Sequence, residues 1–151
     1  MKKYFLTLIA ILFLALTSCR EKIDINKEIE AIVAVCEKET GAYYARDFQQ
    51  QYECFIHDET TSVIYAEVFI DGWHDINAAY NQVYERDPAP STNKFENENY
   101  KIKVYGDCAW AVYDQYLVDK DGTFYNQQRE VRFLEKVDGE WKIVLLSVLA
   151  S

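Results

Sequence analysis

The second half of the chain consists of alternating runs of residues separated by short turns rich in Gly and Asp. The runs are rich in Val, Ile, Tyr, Phe and Trp and cover residues 100–105, 108–118, 124–136 and 141–149. The turns between them contain the pairs Gly106-Asp107, Asp121-Gly122 and Asp138-Gly139. Asp-Gly between alternating runs is a strong signal of a β-hairpin. This half is therefore predicted to form a long antiparallel meander.

The first half carries helical periodicity. Ile29, Ile32 and Cys36 follow the spacing of one helix face, which predicts a helix that runs to Ala45. The opposite, solvent-facing side is assigned to the charged residues of this stretch, namely Glu28, Glu30, Glu37, Lys38 and Glu39. The helix is expected to contribute its apolar face to the core.

Three further elements are predicted between this helix and the meander. Asp47 is typical of an N-cap and predicts a short helix through Phe55. Residues 60–70 are rich in β-branched and aromatic side chains and predict one strand, which Asp71-Gly72 ends. Residues 73–86 then predict a third helix. The order favours an α+β fold, with the helices packed on one face of a curved sheet.

The amino terminus has the pattern of an export signal. Three residues, Met1-Lys2-Lys3, precede an apolar stretch over residues 4–16. This stretch is shorter than the roughly 20 residues that a spanning helix needs. Leu16-Thr17-Ser18-Cys19 resembles the bacterial lipobox, which implies cleavage after Ser18 and lipidation of Cys19. An ordinary secretory signal is the alternative.

These features predict three segments: a lipoprotein signal peptide over 1–18, a lipidated tether over 19–26 and a folded domain over 27–151. The expected location is the cell envelope, anchored to a bacterial membrane. The sequence leaves open which membrane and which face carry the anchor.

The net charge of the chain limits the kinds of partner that it is expected to bind. The net charge of −9 argues against nucleic acid, because Lys and Arg supply the affinity for phosphate. A cationic partner or ligand, or solubility alone, remains compatible with this net charge.

Cys36, Cys54 and Cys108 are interpreted mainly as small core residues, with a Cys36–Cys54 disulfide as an alternative. The sequence contains no metal-ligand spacing, and no metal or cofactor is predicted.

Several short motifs occur in an order that resembles the nuclear transport factor 2-like superfamily, and most closely its SnoaL-like branch. The motifs are Tyr44-Ala45-Arg46-Asp47, His57-Asp58, Gly72, Gly106-Asp107-x-Ala109 and the final hairpin over residues 134–144. The resemblance covers about residues 25–149. It implies a cone-shaped roll: a strongly curved, mainly antiparallel sheet around a pocket, with amino-terminal helices closing one side.

The resemblance also implies where a catalytic group would lie. Enzymes of this type place a carboxylate or histidine base inside the cone, so His57, Asp58 and Asp114 are the candidates here. For His57-Asp58 a capped, solvated turn is the competing interpretation. Many relatives carry histidines along the last strand, and residues 145–151 of this chain contain none. The sequence therefore favours a protein without catalytic activity.

A ligand site is predicted on one face of the central strand. Side chains alternate along a strand, and relatives point the alanine after Gly-Asp inward, which places Tyr113 and Gln115 toward the pocket. Arg129 on the next strand would bring a cation near them. The aromatic residues expected to close the mouth are Tyr52, Tyr65 and Trp73. Such a pocket suits a small apolar or aromatic ligand; the alternative is that these side chains fill the cone as core.

Three functions are compatible with these features: a lipoprotein whose pocket binds a ligand or partner, an isomerase, dehydratase or hydrolase, and an immunity protein whose acidity complements a basic toxin. A homodimer is also expected. Trp110, Val112 and Tyr116 alternate on the predicted outer face of the sheet, and exposed apolar stripes tend to mark contacts.

Overall fold

The computed structural model describes residues 23–92 and 94–150. The predicted signal peptide and Cys19 lie outside these residues. Helix α1 spans Ile25–Ala45 and begins two residues inside the predicted tether. The Asp24 side chain caps it by accepting a hydrogen bond from the Asn26 backbone N–H at 3.2 Å. The helix ends at Arg46, which adopts a left-handed conformation with φ of 59°.

The remaining elements follow in the predicted order of helices before meander. They are α2 (Phe48–Tyr52), β1 (Ser62–Tyr65), β2 (Val68–Asp71), α3 (Trp73–Arg86), β3 (Lys94–Tyr105), β4 (Cys108–Val118), β5 (Phe124–Val137) and β6 (Glu140–Ala150). The sheet order is β2-β1-β6-β5-β4-β3. All neighbours are antiparallel except β1 and β6. The predicted α+β cone is confirmed as an open, curved six-stranded sheet with helices on one face.

Two strand predictions were wrong. Residues 60–70 form a hairpin instead of one strand, because the chain reverses at Ala66-Glu67 and Tyr65 pairs with Val68. Ala66 has φ of 52°, a turn geometry that its side chain does not signal. Strand β3 begins at Lys94 instead of Tyr100, and an irregularity at Asn99, with φ of 57°, interrupts its register with β4. This extension was not predicted because residues 94–99 contain Asn and Lys, which are uncommon in strands.

The concave face of the sheet and the inner faces of the helices enclose the core. Its most buried members are Ile32, Cys36, Cys54, Phe55, Ile76, Ala111, Tyr113, Leu134 and Ile143. Glu39 was assigned to the solvent side of α1, and this is wrong: it is 3% exposed, because it lies three residues after Cys36 on the buried face. Cys36 and Cys54 are buried free thiols, whereas Cys108 is exposed and not a core residue.

None of the helices within the described ranges combines the length and the hydrophobicity required to cross a membrane.

Candidate functional site: a buried polar chain in the cone

The register between β4 and β5 decides which side chains face the cone. Tyr113 pairs with Glu130 and Gln115 pairs with Gln128, and all four lie on the concave side with buried Ala111 and Leu134. Arg132 is two residues beyond Glu130 and so shares this face. Strand β5 therefore directs three polar side chains to the interior, those of Gln128, Glu130 and Arg132.

An ion cluster forms where these side chains meet the helices. Arg132 donates through Nη2 to Glu39 Oε2 at 3.0 Å and through Nη1 to Glu130 Oε2. Gln51 on α2 donates through Nε2 to Glu39 Oε1 at 2.9 Å. The three charged residues are 1–3% exposed. One guanidinium thus holds two carboxylates away from water.

Amide side chains extend the cluster along the cone. Gln128 Nε2 donates to Glu130 Oε1 at 2.8 Å and to Gln115 Oε1 at 2.9 Å. Gln115 Nε2 donates to Thr40 Oγ1 on α1 at 3.3 Å. Continuous hydrogen bonding therefore ties the sheet to the first helix.

Tyrosines carry both ends of this network toward the surface. Tyr84 Oη donates to Gln51 Oε1, and Tyr44 Oη donates to Gln115 Oε1 at 3.3 Å. Both tyrosines are half-buried. We name the connected set the interior polar chain; it comprises Tyr84, Gln51, Glu39, Arg132, Glu130, Gln128, Gln115, Thr40 and Tyr44.

The tyrosine rim is the group formed by Tyr43, Tyr44 and Tyr84. The ring centroids of Tyr43 and Tyr44 are 5.5 Å apart, and those of Tyr43 and Tyr84 are 6.3 Å apart. The Arg46 guanidinium lies over two of these rings, 5.2 Å from Tyr43 and 5.8 Å from Tyr84, and pairs with Asp87. The rim therefore already holds one cation of the chain.

Burial raises the pKa of Glu130 above its usual value, although the Arg132 charge acts in the opposite direction. A charged carboxylate is costly in a medium that solvates it poorly, and Arg132 is shared with Glu39. Several buried polar atoms have no hydrogen-bond partner among the described residues, and they include Arg132 Nε and Tyr113 Oη in the cone. The cluster thus has one carboxylate more than its cations and spare donor capacity.

Tyr113 and Gln115 lie inside the cone, where the strand alternation predicted them. Gln115 joins the interior polar chain. Tyr113 is 1% exposed, and its ring centroid lies 5.7 Å from the Arg132 guanidinium carbon. Tyr113 and Gln115 thus fill part of the interior of the cone.

Arg129 is not placed with them, and this expectation was wrong. Its pairing with Asp114 puts both residues on the convex face, where Arg129 Nη2 lies 2.8 Å from Asp114 Oδ1. Arg129 holds the pKa of Asp114 below its usual value. Asp114 therefore lies outside the cone as well, because it alternates with inward-facing Tyr113 and Gln115.

His57 and Asp58 form a capped turn at the surface, the competing interpretation for this pair. Asp58 Oδ1 accepts from the Thr60 backbone N–H at 2.8 Å and from the Thr60 hydroxyl at 2.6 Å. These bonds lower the pKa of Asp58. His57 Nε2 lies 2.7 Å from the Tyr52 carbonyl oxygen. Neither side chain joins the interior polar chain.

The three aromatic residues predicted to close the mouth lie in different environments. Trp73 is 9% exposed and packs against Phe55 in the core. Tyr52 is half-buried and contacts the rings of Trp73 and His57. Tyr65 is 59% exposed at the end of the β1–β2 hairpin. Tyr65 is thus exposed at the surface, whereas Trp73 is part of the core.

A groove of about 490 Å³ lies outside the cone, between α1 and the β5–β6 hairpin. Glu28 closes one part of it by accepting from Lys136 Nζ at 2.7 Å and from Trp141 Nε1 at 2.8 Å. No residue predicted as a ligand or catalytic candidate lines this groove. Among the described residues, no group of three or more His, Cys, Asp or Glu side chains is arranged to hold a metal ion.

The charged core of the site, formed by Glu39, Glu130 and Arg132, is not predicted by the sequence patterns. Glu39 was detectable from its position three residues after Cys36. The β5 residues would have required the register with β4, which an irregularity between Gln115 and Leu117 alters.

The chain matches the family model described as a SnoaL-like domain over residues 25–150. No curated protein matches the chain in sequence.

Solved structures of the same fold come from several organisms. An NTF2-like protein of unknown function from Shewanella oneidensis is 20% identical, with a TM-score of 0.64 over 80% of this chain and 98% of that one. The association domain of C. elegans CaMKII is 19% identical, with a TM-score of 0.66 over 83% and 97%. A candidate dehydratase of the NTF2-like family from Streptomyces avermitilis is 11% identical, with a TM-score of 0.69 over 83% and 97%. At these identities the likeness establishes the fold alone.

Proposed function

This chain belongs to the SnoaL-like domain family, and on that premise we propose that it is an exported, lipid-anchored protein whose cone binds a small ligand without transforming it. The observation that carries the proposal is the interior polar chain, which runs from buried Arg132 to the half-buried tyrosines of the rim. A cone meant only for stability would be filled by apolar side chains. Polar groups buried in a pocket-forming fold instead fix the orientation of a ligand.

The anchor is proposed from the sequence through Met1-Lys2-Lys3, the apolar stretch over 4–16 and Cys19. The geometry of the described domain adds an orientation to it. Helix α1 is 21 residues long, or about 30 Å at 1.5 Å per residue, and Tyr44 lies near the end opposite to Ile25. The tyrosine rim would then face away from the bilayer and remain open to ligands.

The anchor is tested by metabolic labelling with palmitate. The wild-type chain should incorporate label and fractionate with membranes, and Cys19→Ala should do neither. Labelling that persists in Cys19→Ala would refute the lipobox assignment.

The ligand is tested on the full-length chain purified from its native host in mild detergent. Native mass spectrometry should detect a bound molecule, and Gln115→Leu should reduce its occupancy. An exposed matched variant, Gln127→Leu, should retain it. Failure to detect any bound molecule, together with no thermal stabilisation across a metabolite library, would reject the ligand-binding role.

A second candidate function is acid–base catalysis of the isomerase or dehydratase type, and Glu130 is the observation that favours it. A base works best when its pKa is near the operating pH, and burial moves the pKa of Glu130 upward. His57, Asp58 and Asp114 do not supply such a group in the cone. If this function holds, Glu130→Gln should abolish conversion of the captured ligand while its binding is retained. Unchanged ligand recovered after incubation with the wild-type protein would reject it.

A homodimer through the convex sheet face is also proposed. Apolar residues of β4, β5 and β6 share this face, and two of them, Phe133 and Leu149, are 47% and 49% exposed. Trp110 and Val112 are half-buried there, next to Phe133 and Val131 across the β4–β5 pair. A contiguous apolar surface of this kind is typical of a subunit contact.

A further inference from the structure

The charge balance of the interior polar chain points to the chemical class of its ligand. Glu39 and Glu130 are 3% and 1% exposed and share one cation, Arg132, which is itself 2% exposed. Within the described ranges, no second Lys or Arg side chain pairs with either carboxylate. With both carboxylates ionised, the cluster carries a net charge of −1 away from water.

A buried net charge is unfavourable and must be balanced by a proton or a counter-ion. Gln51 and Gln128 donate hydrogen bonds to the two carboxylates, but a neutral amide cannot supply the missing charge. Burial raises the pKa of Glu130, and the nearby charge of Glu39 acts in the same direction. Glu130 therefore holds its proton more tightly than an exposed glutamate does.

Half-buried tyrosine rings lie at both ends of the interior polar chain. The faces of tyrosine rings attract cations, and cages of such rings recognise quaternary ammonium groups. Tyr43 and Tyr84 already carry the Arg46 guanidinium at 5.2 Å and 5.8 Å from their ring centroids. Because Arg46 is paired with Asp87, its own charge is largely neutralised there.

Hydrogen bonds through glutamine side chains link the tyrosine rim to the ion cluster. Tyr84 reaches Glu39 through Gln51, and Tyr44 reaches Glu130 through Gln115 and Gln128. Hydrogen-bonded side chains therefore couple the tyrosine rim to both carboxylates. The acidic chain as a whole, with a net charge of −9, attracts cations toward it.

We propose that the cone binds a small organic cation, a quaternary ammonium or primary amine, with its apolar part against the tyrosine rim and its charge directed toward Glu39 and Glu130. This assignment rests on the proposed ligand-binding function and adds to it the charge and size of the ligand. It also accounts for the partnering of two buried carboxylates with a single arginine.

The test compares cations with neutral molecules of the same shape. Choline is matched by 3,3-dimethylbutan-1-ol, and benzylammonium by benzyl alcohol, so that only the charge differs within a pair. Isothermal titration calorimetry on the full-length chain in non-ionic detergent is expected to give at least a tenfold higher affinity for one cation than for its neutral partner. Glu130→Gln should remove most of that preference.

A matched control is Glu135→Gln, which makes the same charge change on the same strand at an exposed position. It should leave the cation preference unchanged. A second readout on the wild-type protein keeps the test independent of variant folding. Titrations of the wild-type chain at increasing pH should show a cation affinity that does not fall, because loss of the Glu130 proton leaves a negative charge that attracts the cation.

Several results would overturn the inference. They are equal affinity for cation and neutral partner, tighter binding of the anion 3,3-dimethylbutanoate, equal loss in Glu130→Gln and Glu135→Gln, or no binding of either cation. If the neutral molecules or the anion bind, the ligand-binding function stands while the cation assignment fails. The function itself fails only if native mass spectrometry and the metabolite library also detect no ligand.

Discussion

Replacing Arg132 with Met should destabilise the domain strongly, because Arg132 is the only partner that neutralises Glu39 and Glu130 among the described residues. Met preserves much of the side-chain volume but removes both charge-assisted hydrogen bonds. Breaking a buried ion pair by deleting one partner costs about 3–5 kcal/mol. For Arg132→Met we expect a loss in this range at neutral pH, a large share of the roughly 5–15 kcal/mol that stabilises a typical domain.

The expected loss depends on pH in a defined direction. Without Arg132, both carboxylates can relieve their burial by taking up protons, so the destabilisation should shrink as the pH falls toward the pKa of an exposed glutamate, about 4.3. Urea denaturation followed by tryptophan fluorescence at neutral and acidic pH measures the free energy of unfolding directly. Combining Arg132→Met with Glu39→Gln and Glu130→Gln should recover part of the loss at neutral pH.

A matched control lies on the same strand. Arg129 also forms an arginine–carboxylate pair, with Asp114; the Arg129 side chain is 58% exposed and that of Asp114 is 9% exposed, so solvent screens the pair from one side and its loss should cost about 1 kcal/mol. Arg129→Met should therefore cost far less than Arg132→Met. Equal losses in the two variants would refute the reasoning, because the burial of the ion pair would then have no energetic consequence.

Three further predictions concern other parts of the molecule. Because the folded pKa of Glu130 is raised, stability should fall as the pH rises from about 4.3 through the folded value, and pH-dependent denaturation of Glu130→Gln should lack this fall. Glu28→Gln weakens the bonds from Lys136 and Trp141 and should cost about 1.5 kcal/mol at neutral pH but little in acid; a pH-independent loss would contradict the ionic contribution. Phe133→Lys on the convex face should yield monomers in sedimentation equilibrium, and a wild-type chain that is itself monomeric at all concentrations would reject the dimer.

Local signals predicted most of the architecture. The turn at Asp138-Gly139 is an example, since both residues adopt positive φ values of 53° and 87°, as a two-residue hairpin turn of this type requires. The β1–β2 hairpin was missed because Ala66-Glu67 carries no such signal. A turn whose residues are not typical of turns can be found only when the two strands are seen to pair.

The burial of side chains along α1 could also be predicted only in part. Spacing identified Ile32 and Cys36 as buried, and the same spacing includes Glu39. Residue type argued against burial, because charged residues are rarely buried unless paired. The partner of Glu39 is Arg132, 93 residues away, and no local pattern reveals such a pairing.

Strand β5 shows why the site itself escaped prediction. Ordinary amphipathic alternation places apolar side chains toward the core, which for this strand would bury Val131 and Phe133. The structure does the opposite: Glu130 and Arg132 face the cone, while Phe133 is 47% exposed on the convex side. Such an inversion is unfavourable for folding alone, and departures of this kind are expected where function imposes them. A polar interior and an apolar exterior on one strand therefore favour two roles for β5, ligand recognition inside the cone and subunit contact outside it.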